Sequence, residues 1–329
     1  MKLAVRIAFV IGLGVMIALI AREGSTQILA LLSRASWMLL WLVPLRALPV
    51  LLDVFGWRAL IPTGARVWTL FWIACIREAV NRLLPVANIG GELVGIRLLA
   101  RAGTDATAAA ASVVVEVLVT LVSQYLFVAL GVACLLHLTG AVRVTGDLVI
   151  LLATSLPVIA LLAVLLRYGS VFSRLERFGA RMLGSGGGVA AGVQYSSALD
   201  SKIRDLFRAQ SRLVRAGFWQ TAGLAAGAAE TWLALRWLGH PVGVVEAVAI
   251  ESLTQAARNF IFLVPAGIGV QEASLVGLGH LLGISADTAL ALSLAKRMRE
   301  ILSGVPALVA WQWIEGRRGF THARSRGDS

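Results

Sequence analysis

Apolar residues along this chain come in long unbroken runs, not in the alternation of a half-buried strand or the single stripe of a surface helix. Runs near 20 apolar residues are what a bilayer-spanning helix requires. They predict spans at 3–21, 35–56, 67–84, 105–137, 147–167, 216–238, 242–263 and 286–315. Two short apolar arms, 88–100 and 270–282, are left over. Each follows a Pro/Gly break and reaches only about 20 Å at 1.5 Å per residue, too short to cross comfortably. Segments 67–100 and 242–282 are therefore expected to be re-entrant hairpins that enter and leave on one side. The predicted fold is an all-α polytopic membrane protein, a single integral membrane domain over 1–329, with about eight long transmembrane segments and two inverted-repeat re-entrant helical hairpins.

Composition agrees with the pattern. Of 329 residues, 58% are hydrophobic and 15% charged, with a mean hydropathy of +0.82, against roughly 25% charged in soluble proteins. The net charge of +12 suits anionic headgroups and the positive-inside rule better than nucleic acid. Arg174, Arg177, Arg181, Lys202, Arg204, Arg208, Arg212 and Arg215 crowd the 168–215 loop, and Arg317, Arg318, Arg324 and Arg326 the tail. With non-crossing hairpins, only Arg22, Arg34 and Arg143 fall in loops of the opposite face. Both termini and the 168–215 loop are thus expected in the cytoplasm. Within that loop GSGGGVAAG (184–192) lacks the Lys-Ser/Thr of a phosphate-binding loop and reads as a linker. FSRLERFGARML and SKIRDLFRAQSRLV around it read as amphipathic helices on the inner leaflet. Most tryptophans, such as Trp37, Trp68, Trp219, Trp237 and Trp311, fall near span ends as an aromatic belt. Cys75 and Cys134 lie in apolar runs, without disulfide or metal spacing.

The two breaks resemble each other. PVANIGGE (85–92) and PAGIGVQE (265–272) both place Pro and Glu seven apart with two glycines between. Asn81 and Arg82 precede one, and Arg258 and Asn259 the other. After each come a short arm, a Gly-containing turn with an Asp (Asp105, Asp287) and a long helix; matching Ser112 to Ser293 puts Glu116 opposite Arg297. An odd number of crossings separates the copies, so they enter from opposite faces. Inverted repeats with broken helices are a transporter arrangement in which irregular backbone lines a cavity or is buried in protein.

Charges lie at depth. Glu116 sits about 18 Å and Lys296 about 16 Å into its helix, and Arg297, Arg299 and Glu300 accompany Lys296 in AKRMREI. A charge at the bilayer centre costs about 2.5–3.5 kcal/mol on insertion scales, so the cluster must face protein or water. Glu116, Thr120 and Gln124 share one helix face, Glu251, Gln255 and Asn259 another, and Glu78 can pair with Arg82. These acids and bases either bind a substrate or only lock the bundle; Glu230, alone in its helix, is open between the two. Gly91/Gly95 and Gly223/Gly227 have the spacing of close helix packing. His137, His240, His280 and His322 are scattered, and no HExxH, zinc, GxSxG or ATP-binding pattern occurs, so neither metal, cofactor nor catalytic residue is expected.

VPAGIGVQEASL with ALALSLAKRMREILSGVPALVAW, and NRLLPVANIGGELVGIRLL, resemble the transmembrane region of the lysylphosphatidylglycerol synthases. Within that family the chain is most similar to hopanoid-associated HpnL-type membrane proteins. The resemblance implies a flippase-like lipid-handling domain, and the hopanoid branch implies movement of hopanoid toward the outer membrane. The aminoacyl-transferring domain of the synthases is not in this sequence, so lipid lysinylation is not expected.

The sequence reading is thus a lipid transporter of the bacterial inner membrane, not an enzyme. Its expected partners are membrane lipids (hopanoid or phospholipid) and lipid-export proteins, without nucleic acid. Arg82, Asn88, Glu92, Glu116, Arg258, Gln271, Glu272, Lys296, Arg297, Arg299 and Glu300 are expected to line a central site between the hairpins. The rivals are a membrane enzyme modifying an isoprenoid or phospholipid headgroup, and a scaffold for lipid-synthesising enzymes.

Overall fold

The computed structural model describes residues 32, 36–62, 65–84, 90–140, 142–170, 173–174, 189–260 and 267–324. The predicted span 3–21, the breaks at 85–89 and 261–266, and Asn88 lie outside the described residues. Every described element is helical: α1 (Ser36–Leu40), α2 (Leu42–Leu45), α3 (Ala47–Leu60), α4 (Val67–Leu83), α5 (Gly90–Arg101), α6 (Ala106–Thr139), α7 (Val142–Tyr168), α8 (Val189–Arg208), α9 (Gln210–Trp237), α10 (Val244–Phe260), α11 (Val270–Leu281) and α12 (Ala286–Arg324). Among them the stretches Trp37–Leu60, Ala106–Thr139 and Gly146–Tyr168 are long and apolar enough to cross a bilayer. The last buries none of its most apolar window against the protein. Its large apolar side chains, Ile150 and Val158 among them, face outward, which only a lipid environment makes favourable.

The chain is built twice. The helix–break–helix segments have equal arms: α4 and α10 are 17 residues each, and α5 and α11 are 12 each. Both copies then turn the same way. Gly103 (φ 100) and Gly283 (φ 73) occupy the left-handed region after α5 and α11, which a residue with a Cβ adopts only at a cost. Thr104 N–H donates to Leu99 and Ile284 N–H to Gly279; Ala102 donates to Leu98 as Leu282 does to Leu278. Ala109 then donates to Asp105 as Ala289 does to Ser285. These matched bonds set the register of the long helices. Asp105 corresponds to Ser285 rather than Asp287, and Glu116 stands opposite Lys296 rather than Arg297. The sequence matching slipped because Asp and Ser both start helices well, and only the backbone bonds tell which one does.

Packing repeats as well. One core joins Val54, Trp57, Leu70, Ile73, Leu99, Ala109 and Val113 from α3 to α6. The other joins Leu235, Ile250, Leu275, Ile284, Ala289 and Leu290 from α9 to α12. The halves interlock by exchange: α4 lies along α12, α10 along α6, and α3 along α9. Glycines set the closest approaches. A Cβ on Gly91 would strike the Arg77 carbonyl and the Asn81 side chain, and one on Gly95 the Arg77 side chain at 2.5 Å. The Gly91/Gly95 pair is thus a seat for Arg77. Gly223 accepts Asp53 of α3, while Gly227 faces Glu251 of α10.

In the basic loop, 171–172 and 175–188, and with them most of FSRLERFGARML and the first part of GSGGGVAAG, lie outside the described residues. Val189–Gly192 already belong to α8. That helix turns Leu199, Ile203 and Leu206 into a core with Leu60, Val115 and Ala216, so its apolar stripe is covered by protein. Asp200 fastens it to the segment that follows α7 by accepting the Ser173 N–H (3.0 Å) and hydroxyl. SKIRDLFRAQSRLV divides at Ala209 between α8 and α9. Trp37 and Trp68 are exposed as a belt requires, whereas Trp57 is fully buried.

Candidate functional site

Where the halves meet, the structure collects the charges. Glu300 on α12 is the hub. Its carboxylate lies 3.1 Å from Arg258, 3.8 Å from Arg82, and 3.9 Å from both Arg297 and Arg299. Arg82 comes from α4 and Arg258 from α10, so one carboxylate ties the first arms of both repeats. The network continues outward. Glu78 is 4.0 Å from Arg82, as the i, i+4 spacing implied, but it also takes the Arg46 guanidinium. Arg258 donates to the Gln271 side chain at 2.5 Å, and Arg299 pairs with Glu230 of α9. Glu230, ambiguous in the sequence, is therefore the anchor of Arg299.

Each half also carries a pair between its first arm and its long helix, with the charges exchanged. In the first, Arg77 of α4 donates to Glu116 of α6 at 2.8 Å. In the second, Lys296 of α12 donates to Glu251 of α10. Arg77 reaches Glu92 as well, and its guanidinium stacks 4.6 Å over the Trp57 ring. Trp57 is held in turn by donating to Ser112 at 3.2 Å. Glu251 also accepts from Thr231 (2.5 Å) and Gln255 (2.7 Å). Gln124 donates to Gln255 at 3.1 Å, joining the two polar faces seen in the sequence. Glu116 and Arg297, which the sequence matching sets opposite each other, do not pair: Glu116 is bound within its own half by Arg77, and Arg297 is engaged by Glu272. Sequence matching missed Arg77 because its acids lie 15 and 39 residues away. The available signal was a second cation beside Glu78 in an apolar helix.

The carboxylates after the two breaks are not equivalent. Glu272 is walled in, with its side chain 1% exposed. It accepts the Gly269 N–H (2.7 Å), the Ser293 hydroxyl (2.8 Å) and the Arg297 Nε (3.1 Å). Ser293 accepts in turn from Gln271 at 2.8 Å, and Arg297 also reaches the Gly267 carbonyl at 3.1 Å. Those bonds hold the start of α11 against α12. Glu92, 23% exposed, is held by Arg77 and by Asn81 (3.3 Å), whose carbonyl caps the Gly91 N–H at 2.8 Å.

Two adjoining cavities open onto this network. One, of about 120 Å³, has a polar floor of Arg46, Glu78, Arg82, Arg299 and Glu300 and an apolar wall that includes Val43, Phe71, Ala79 and Gly304. The other, of about 340 Å³, shares Arg46, Glu78 and Arg82 and extends to Asp53, Arg77, Glu92, Glu116, Thr120, Gln220 and Asn259. Of the residues expected at a central site, Arg82, Glu92, Glu116, Arg299 and Glu300 line these spaces. Arg258, Gln271, Glu272 and Arg297 brace them from the second repeat, and Lys296 sits apart with Glu251. Among the described residues no group of His, Cys, Asp and Glu is arranged as metal ligands.

The family model described as "Lysylphosphatidylglycerol synthase TM region" matches residues 4–305 of the chain. No curated protein and no solved structure matches it.

Proposed function

Since the chain belongs to the lysylphosphatidylglycerol synthase TM region family, multi-pass membrane proteins of lipid metabolism or transport, we propose that it is a lipid transporter of the bacterial inner membrane. Its cargo on this reading is hopanoid or a related lipid, moved toward the outer membrane, with both termini cytoplasmic. One observation carries the reading: a charged cavity with an apolar wall lies between two matched halves. A lipid has the same division, a polar head and an apolar body. The head would exchange water for the arginines and carboxylates of the floor, while the body keeps to the side of Phe71, Ala79 and Gly304. Moving it between leaflets then requires the halves to rock, and Glu300 sits where Arg82 and Arg258 compete for it. Two repeats packed by exchange suit such rocking, because inverted repeats shifting about a fixed site give alternating access.

Mass spectrometry of separated inner and outer membranes from a deletion strain tests this. The expected result is an unchanged set of lipid species with one class displaced to the inner membrane. A missing species would replace transport by headgroup modification, and a uniform fall of all species would replace it by a scaffold.

A further inference from the structure

The larger cavity is lined by three arginines, Arg46, Arg77 and Arg82, and four carboxylates, Asp53, Glu78, Glu92 and Glu116. The arginines are all committed. Arg77 holds Glu92 and Glu116, and Arg46 and Arg82 hold Glu78. Asp53 is the carboxylate left over: among the described residues it has no hydrogen bond and no cation within 4 Å. It lies in the apolar stretch LPVLLDVFGW of α3, seven residues and so about 10 Å along the axis from the end of that helix. Gly223 lets it in, since a Cβ there would collide with the Asp53 carboxylate. Helix α9 approaches it with an uncharged residue, Gln220. The charged groups facing it are Arg46, the residue just before α3, Arg77, Glu78 and Arg82 from α4, Glu92 from α5 and Glu116 from α6.

We propose that Asp53 is a proton-binding site that couples the transporter to a proton gradient. This rests on the transport reading. An ionised carboxylate without a partner is costly to keep away from bulk water, and one proton removes that cost without any further ligand. A sodium ion would need several oxygen ligands, and the other three carboxylates of the cavity are already taken by arginines. The coupling runs through Arg46, two helical turns before Asp53 and lining the same cavity. With the proton bound, Asp53 is neutral and Arg46 stays with Glu78. Once water enters and takes the proton from the carboxyl oxygen, Asp53 competes with Glu78 for Arg46. Glu78 then leans on Arg82, and Arg82 on Glu300, the carboxylate that joins the halves.

Full-length protein in lipid nanodiscs gives the direct test, by infrared difference spectra between acid and alkaline buffer. Wild type is expected to show a protonated-carboxyl band that disappears in Asp53→Asn and persists in Glu246→Gln, a control outside the cavity. Identical spectra for wild type and Asp53→Asn overturn the proposal. If the Asn variant does not fold, Asp53→Glu serves: the band should move, and an unmoved band overturns the proposal too. So does stabilisation by sodium at fixed pH that depends on Asp53 without a titrating band. In vesicles with labelled hopanoid or headgroup-labelled phosphatidylglycerol and an internal pH dye, the pH-gradient dependence of lipid movement should vanish in Asp53→Asn; an unaltered dependence refutes coupling. Wild type that moves no lipid under any gradient, yet keeps the Asp53 band, sinks the transport reading and leaves the proton site standing.

Discussion

Removing the Arg77 side chain should be among the most damaging single changes in the first repeat, and the damage should be repairable in a specific way. Arg77 is 10% exposed, neutralises Glu116 and Glu92 and stacks on Trp57. Arg77→Met keeps the apolar stem but strands both carboxylates. Breaking a buried pair in this way costs about 3–5 kcal/mol, and the lost cation–π contact adds about 0.5–2 kcal/mol. Glu116→Gln is milder, because Arg77 keeps Glu92 and the amide oxygen can still accept; about 1–2 kcal/mol is expected from the weakened charged hydrogen bond. In the Arg77→Met background the same change removes a stranded charge, so it should cost nothing or restore stability. The double-mutant cycle should therefore show a coupling of at least about 1–2 kcal/mol, more if stability is restored, within the range for residues in contact. Reversible unfolding in mixed micelles, with each variant at the same detergent composition, measures it. Additive effects for Arg77 and Glu116, together with strong coupling between Glu116 and Arg297, would refute the pairing described above.

Further outcomes are expected elsewhere. Gly91→Ala should be strongly destabilising in the same assay because its Cβ meets the Arg77 carbonyl, whereas Gly277→Ala, with open space around it, should be neutral or gain about 0.5–1 kcal/mol. Asp105 caps α6 through the Ala108 N–H at 2.9 Å, and the Thr107 hydroxyl, then that N–H, hold its carboxyl below the usual carboxylate range. Its contribution is thus complete above the ordinary carboxylate pKa and lost as pH falls through the depressed one: Asp105→Ala should cost about 1 kcal/mol at neutral pH and progressively less in acid. Glu272→Gln should lower stability by more than Glu92→Gln, since Glu272 is enclosed by donors. Glu92→Gln should instead slow lipid movement in a folded protein, and equal stability losses would put both residues in one structural class. Reporter fusions at Gly186 and Ser329 should both give cytoplasmic signals; a periplasmic signal at either site would reverse the topology.

Sequence alone fixed the coarse architecture, because hydrophobic run length and backbone satisfaction in lipid leave little choice but helices. It also exposed the two Pro…Glu breaks and the deep cluster Lys296–Glu300, since charges and glycines stand out against an apolar background. The glycine pairs could be read as packing points, though not what each would pack against: Gly91 and Gly95 receive Arg77, and Gly223 receives Asp53. Partner choice was the part that tertiary structure decided. Arg77 finds its acids through the return of α5 and the rise of α6, Glu230 finds Arg299 across 69 positions, and Glu300 gathers arginines from α4, α10 and α12. The reason is geometric. Periodicity reports which face a residue occupies on its own helix, but the long flexible side chains of Arg and Glu pair with whatever opposite charge another helix brings within reach. That depends on rotations and offsets fixed by the packed halves, as does the position of Asp53, the carboxylate of the larger cavity that has no cation within 4 Å among the described residues.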